Sequence, residues 1–163
     1  FGGILQMNGA PVGRELGRYS FAGQVGGAET YDPQQDPQEW GSIMMVVATD
    51  APLSDRNLER IARRAIMGLS RTGSYASNGS GDYVIAFSTS EAVRRPASGG
   101  TRTVEDLANG DMSALFEATV EATEEAIYNS LFRARTVESN GRTVEALPLA
   151  ETLEVLRRYG VVR

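Results

Sequence analysis

Ser42 stands where a Gly-, Pro- and Gln-rich stretch ending in Trp40-Gly41 runs into the apolar string Ile43-Met44-Met45-Val46-Val47. Its hydroxyl is the nucleophile to consider, because the 163 residues include no Cys and no His. Neither a thiolate nor an imidazole is therefore at hand for nucleophilic or acid–base work. A reactive Ser in such a chain needs another base. Cutting the Gly41-Ser42 bond would create one, since a free α-amino group titrates at roughly 7.7–8.0, close to what a general base needs near neutrality. An internal Ser lacks that amine, and a Ser that merely opens a strand accounts for the residue without any chemistry.

Two further groupings have the residue types for chemistry. Gly73 to Gly81 reads Gly-Ser-Tyr-Ala-Ser-Asn-Gly-Ser-Gly. Ser74, Ser77, Asn78 and Ser80 offer hydroxyls and an amide on an adaptable backbone, suited to binding an oxyanion or orienting a nucleophile. A turn-rich connector has the same composition. Glu117, Glu121, Glu124 and Glu125 recur at helical spacing on what should be the outer face of a helix, where carboxylates are solvated. With no His beside them, no metal site is expected there, and no cofactor motif occurs elsewhere. Arg56, Arg60, Arg63 and Arg64 read likewise as a solvated helix face.

The elements that must position these groups follow from periodicity and punctuation. Ile4 to Val12, with Asn8-Gly9 at its centre, reads as a hairpin on a tight turn with positive φ values, and Pro11 limits its second arm to an edge. From about residue 22 to 41 the composition shifts to Gly, Gln, Asp and Pro, a linker or mobile loop. Structureless stretches beyond about 12–15 residues are usually functional or disordered, and a processing site needs such a segment. Ser42 to Thr49 is nearly continuously apolar, so a strand covered on both faces is expected. Ser54 N-caps an amphipathic helix over residues 55–71, and residues 82–89 form a second strand. A polar loop over residues 90–102 precedes a short helix near Val104 to Ala108. The longest helix then runs from about Asp111 to Arg135, with Leu115, Phe116, Ala122, Ala126, Ile127 and Leu131 as its apolar stripe. Asn140-Gly141 marks a turn, Leu147-Pro148 opens a last helix and Gly160 closes it. The order is that of an α/β protein.

Sixteen basic and 21 acidic residues leave a net charge of −5. That balance argues against a nucleic-acid or anionic-membrane partner. No stretch approaches the roughly 20 apolar residues of a membrane span, and no basic-then-apolar leader opens the chain. The opening Phe1-Gly2-Gly3-Ile4-Leu5 reads like the middle of a longer protein, and the compartment stays open between bacterial cytoplasm and periplasm.

Phe1-Gly2, then Gly9-Ala10-Pro11-Val12-Gly13, then Gly41-Ser42-Ile43-Met44-Met45-Val46-Val47-Ala48-Thr49-Asp50-Ala51-Pro52-Leu53 closely resemble the self-processing β-aminopeptidases, also called L-aminopeptidase/D-esterases. The stretches Asn57 to Ala65 and Glu125 to Leu131 are similar to the corresponding family segments. The resemblance covers nearly the whole chain, and its specific part is the block from Gly41-Ser42 to Thr49-Asp50-Ala51-Pro52-Leu53.

The resemblance implies a precursor that cuts itself between Gly41 and Ser42 into a larger α-subunit and a smaller β-subunit. Residues 1–41 would then be the tail of the α-subunit with its processing linker, and residues 42–163 the β-subunit. The implied fold is a four-layer α/β/β/α sandwich, similar to N-terminal nucleophile hydrolases but differently connected, of which this chain is a part. The missing remainder of the α-subunit would carry an oxyanion-hole Asn just before Phe1-Gly2, and αβ units would assemble into a homo-oligomer. Residue by residue, Ser42 matches the nucleophile, Ser80 a second Ser that hydrogen-bonds it, and Asp82 a supporting acidic position that is Glu in some members. Asp is one methylene shorter, and the plain alternative for Asp82 is a solvated carboxylate at a strand edge. The implied activity is hydrolysis of N-terminal residues from peptides, amides or esters, including β-amino acids and D-residues, through an acyl-enzyme on Ser42. The competing classes are an autoprocessing acyltransferase of the ornithine acetyltransferase type, which typically uses Thr, and an uncleaved, non-catalytic α/β interaction domain.

Overall fold

The computed structural model describes residues 3–18, 42–95, 97 and 99–163. Gly41 and the whole linker over residues 22–41 lie outside them, as do Phe1 and Gly2. The elements are α1 (Val12–Glu15), β1 (Met44–Thr49), α2 (Asp55–Arg71), β2 (Tyr83–Ser88), α3 (Met112–Arg133), β3 (Val137–Ser139), β4 (Arg142–Val144) and α4 (Leu149–Arg158). The class is mixed α/β, as expected.

β1 and β2 pair in parallel with Met44 opposite Tyr83 and Thr49 opposite Ser88, joined through α2. Parallel pairing puts the N-terminal ends of both strands side by side. The residues just before each strand, 42–43 and 80–82, therefore meet. Ser54 caps α2 as expected, its Oγ accepting the Asn57 N–H at 3.4 Å. Beneath the sheet, Met45, Ala65, Leu69 and Ile127 form one buried cluster, and Leu53, Ile61 and Met112 a second. The two helices approach closely at Gly68, where an added Cβ would lie 2.6 Å from the Val120 carbonyl oxygen and 2.7 Å from Thr123 Cβ. Only a glycine allows that crossing.

The sheet bears on the expectation of a strand covered on both faces. Its helix-facing side is covered, but the other side is open among the described residues: Val46 is 61%, Tyr83 65% and Ile85 54% exposed. Val, Met and Ile fill successive positions of β1, and the helices of this chain cover alternate ones.

The long helix differs in detail. Ala122 and Ala126 are exposed, and the buried face is Met112, Thr119, Val120, Thr123 and Ile127. Thr119 and Thr123 enter the core because their hydroxyls donate back to the carbonyls four residues earlier, at 2.6 and 2.7 Å. No helix forms over Val104 to Ala108. There the backbone is tied across to the entry of α2, with Leu107 N–H donating to Pro52 O at 2.9 Å and Asp106 accepting from the Ser54 N–H and Oγ at 2.8 Å each. The arginine face of α2 is not wholly solvated either. Arg64 stacks on the Phe116 ring with Cζ 3.8 Å from its centroid.

At the N-terminus, Met7 and Ala10 bridge across Asn8 (φ 48°) and Gly9 (φ 86°), the double positive φ of the expected turn. The second arm is not a strand, because Pro11 leads straight into the helical turn α1. Met7, Ala10 and Val12 pack on Val155 and Leu156 of α4. Tyr128 joins this segment to the long helix. Its hydroxyl accepts the Asn8 N–H at 3.3 Å and donates to Glu124 at 2.6 Å, while Glu124 pairs with Arg71. Burial, then the Glu124 contact, pushes the Tyr128 hydroxyl up to about 12. The Asn140-Gly141 turn closes the small hairpin of β3 and β4, and Gly160 (φ 71°) ends α4 with Val161 N–H donating to Leu156 O at 2.9 Å.

Candidate active site

Three successive residues before and at the start of β2 grip the two residues that lead into β1. Gly81 N–H donates to Ser42 Oγ at 2.9 Å. Asp82 Oδ1 accepts the Ile43 N–H at 3.2 Å, and Tyr83 N–H donates to Ile43 O at 3.0 Å. Ser80 Oγ donates to the same Asp82 oxygen at 2.7 Å. The parallel register dictates this meeting, since extending the Met44–Tyr83 pairing backwards brings residues 81–82 beside 42–43.

Ser42 is solvent-exposed, while Ser80, Gly81 and Asp82 are half-buried. Asp82 is thus no solvated strand-edge carboxylate. One of its oxygens takes two donors, and the other, Oδ2, is buried without a hydrogen-bond partner. A buried carboxylate oxygen left unpaired is costly, and such atoms are found where a ligand, water or a changed covalent state supplies a donor. The arrangement gives an exposed hydroxyl held by a backbone dipole, next to a hydroxyl–carboxylate pair able to hold or pass a proton.

Of the expected loop residues, Ser80 reaches this junction and the others serve the loop. Ser74 Oγ accepts the Ala76 N–H at 3.2 Å, the backbone of Ser77 accepts from Ser80 N–H at 2.8 Å, and Asn78 is exposed. Glu117, Glu121 and Glu125 are exposed on α3 and Glu124 is occupied by Arg71 and Tyr128. Among the described residues no three acidic side chains come together as a metal site. The contact not foreseen is that of Gly81. A backbone donor has no side-chain signature, and the available signal was the Gly-Ser-Gly-Asp string placed directly against an apolar strand.

The β-α-β unit, with an exposed Ser at the mouth of its first strand, is similar to part of the Ntn hydrolase fold variant seen in solved aminopeptidases. The L-aminopeptidase D-Ala-esterase/amidase from Ochrobactrum anthropi, described as a variant of the Ntn hydrolase fold, matches with a TM-score of 0.75 at 31% identity, over 96% of this chain and 40% of its own. A β-aminopeptidase from Burkholderia sp. matches with a TM-score of 0.71 at 36% identity, over 96% of this chain and 41% of its own. The chain is also 42% identical over 160 residues to the β-peptidyl aminopeptidase BapA of Sphingosinicella microcystinivorans, covering 95% of this chain and 40% of that protein. It belongs to peptidase family S58, whose family model matches residues 1–144. It spans about two-fifths of the length of these relatives.

Proposed function

We propose that this chain carries the nucleophile of a self-processing aminopeptidase, with Ser42 acting first on its own chain and then on substrate. The observation that carries the reading is the convergence of Gly81 and Asp82 on the Ser42-Ile43 pair, with Ser80 bonded to Asp82, in a chain with no imidazole or thiol. Membership of family S58 and the aminopeptidase relatives support it.

In the precursor, Ser42 Oγ attacks the Gly41 carbonyl carbon. The C–N bond of that peptide breaks, the Ser42 nitrogen takes the proton and an ester joins Gly41 to Oγ. Water hydrolyses the ester, leaving a carboxylate on Gly41 and a free amine on Ser42. Glycine leaves the carbonyl uncrowded. In the mature protein Oγ attacks the carbonyl of a peptide, aminoacyl amide or ester, and its proton passes to the Ser42 amine or the Ser80–Asp82 pair. The leaving amine or alcohol takes up a proton, and water releases the acyl group. The substrates are N-terminal residues, with β-amino acids included on the strength of the β-peptidyl aminopeptidase relatives, and D-amino acid esters and amides on that of the Ochrobactrum enzyme.

The finer architecture belongs to the same proposal. Helices α2 and α3 form one layer beneath the β1–β2 sheet, and the sheet's open side, with Met44, Val46, Tyr83, Ile85 and Phe87 exposed, is where a second sheet stacks in a four-layer α/β/β/α sandwich. On this reading residues 1–41 end the α-subunit, residues 42–163 are the β-subunit, and the rest of the α-subunit supplies the second sheet. Units of this kind assemble as a homo-oligomer. The test is Ser42→Ala in the complete protein: loss of hydrolysis of aminoacyl anilides is expected, and retained turnover would remove Ser42 from the mechanism.

A further inference from the structure

Gly81 touches Ser42 without a side chain. Its N–H donates to Ser42 Oγ at 2.9 Å. Its backbone lies outside the positive-φ region where glycine alone is comfortable, so conformation does not demand a glycine here. Space is limited without being closed: a Cβ added at Gly81 would sit 3.4 Å from Ser42 Oγ and 3.3 Å from Cε2 of Tyr83. The first distance is ordinary contact, and the second asks the Tyr83 ring to shift by only a few tenths of an ångström, so a single methyl can be accommodated. The added methyl would occupy a flank of the reacting oxygen.

We propose that Gly81 is the positioning residue for Ser42, acting twice. Its amide fixes Oγ and favours the negative charge that builds there as the proton leaves. Its missing side chain keeps one flank of Oγ open to the acyl group. A carbonyl carbon about to be attacked lies about 3–3.5 Å from the nucleophile, the same shell the methyl would enter. The inference rests on Ser42 being the nucleophile. It adds that residue 81 limits the size of acyl group accepted.

The experiment uses the complete protein with Gly81→Ala and Gly81→Val beside Ser42→Ala. Processing is followed by intact mass, and kcat and KM for glycyl and leucyl 4-nitroanilides are expressed per processed subunit, with Tm recorded. Gly81→Ala is expected to keep the wild-type Tm while kcat for the leucyl substrate falls more than about tenfold further than for the glycyl one, and Gly81→Val to widen that gap. Wild-type rates on both substrates in Gly81→Ala, with Ser42→Ala inactive, would overturn the inference and leave the nucleophile in place. Equal losses on both substrates with a lowered Tm would overturn it as well, making Gly81 structural. Activity in Ser42→Ala would instead remove the reading beneath it.

Discussion

Asp82 Oδ1 accepts the backbone N–H of Ile43 at 3.2 Å, so a carboxylate at the mouth of β2 is tied to the residue directly after Ser42. The same oxygen receives the Ser80 hydroxyl. One carboxylate therefore sets the relative position of two hydroxyl-bearing residues from different parts of the chain.

Asp82→Asn keeps an acceptor for Ile43 and Ser80 but removes the charge, whereas Asp82→Ala removes both. Processing and turnover are expected to fall in both variants, by roughly 10²-fold or more in Asp82→Ala, the scale attached to general acid–base groups and to displacements near 1 Å. Single-turnover kinetics on the complete protein measure this. Rates for Asp82→Ala within twofold of wild type would reduce the carboxylate to a structural tie.

Ser80→Ala deletes the donor to Asp82 without touching the Ile43 contact. Slower processing and turnover at unchanged thermal stability are expected. Unchanged rates in the same assays would end the supporting role assigned to Ser80.

Gly68→Ala places a methyl against the Val120 carbonyl and Thr123, forcing α2 and α3 apart. Overpacking costs about 1–3 kcal/mol, and the better helix propensity of Ala returns about 1 kcal/mol. A net loss of up to about 2 kcal/mol is expected, read as a lower denaturant midpoint at constant m-value. An unchanged midpoint would mean that the crossing relaxes freely.

The Ser54 backbone N–H holds the Asp106 carboxyl below its ordinary value, with Asn57 and the Ser54 hydroxyl adding to the effect against partial loss of hydration. A carboxyl lowered in the folded state binds protons more readily when unfolded. Its contribution is therefore present above the unfolded value of roughly 3.9 and is lost as pH falls through the folded one. Asp106→Asn should flatten the acid limb of stability against pH in chemical denaturation. An acid limb of wild-type steepness would show that the carboxyl does not contribute.

Local signals carried far. Ser54, the 3.6-residue spacing of Leu58, Ile61, Ala65 and Leu69, and the Asn-Gly turns led to the right elements, because caps, amphipathic faces and positive φ act within a few residues. The helix expected at Val104 to Ala108 did not form because Asp106 is spent across space on Ser54 and Asn57. Thr119 and Thr123 carry no apolar signal in the sequence, yet they enter the core because their hydroxyls bond to their own helix. At the site, Ser42, Ser80 and Asp82 were singled out from residue types and a family resemblance, while the Gly81 amide came into view only when strand register brought it beside Oγ. Which face of the sheet the helices cover was not legible, since Val, Met and Ile fill both faces of β1.

The most direct measurement is intact mass and N-terminal sequencing of the complete protein after expression and incubation. A β-subunit beginning Ser-Ile-Met at Ser42 is expected in wild type and absent in Ser42→Ala. Wild-type protein that stays uncut, or a cut at any other bond, would contradict self-processing at Gly41-Ser42.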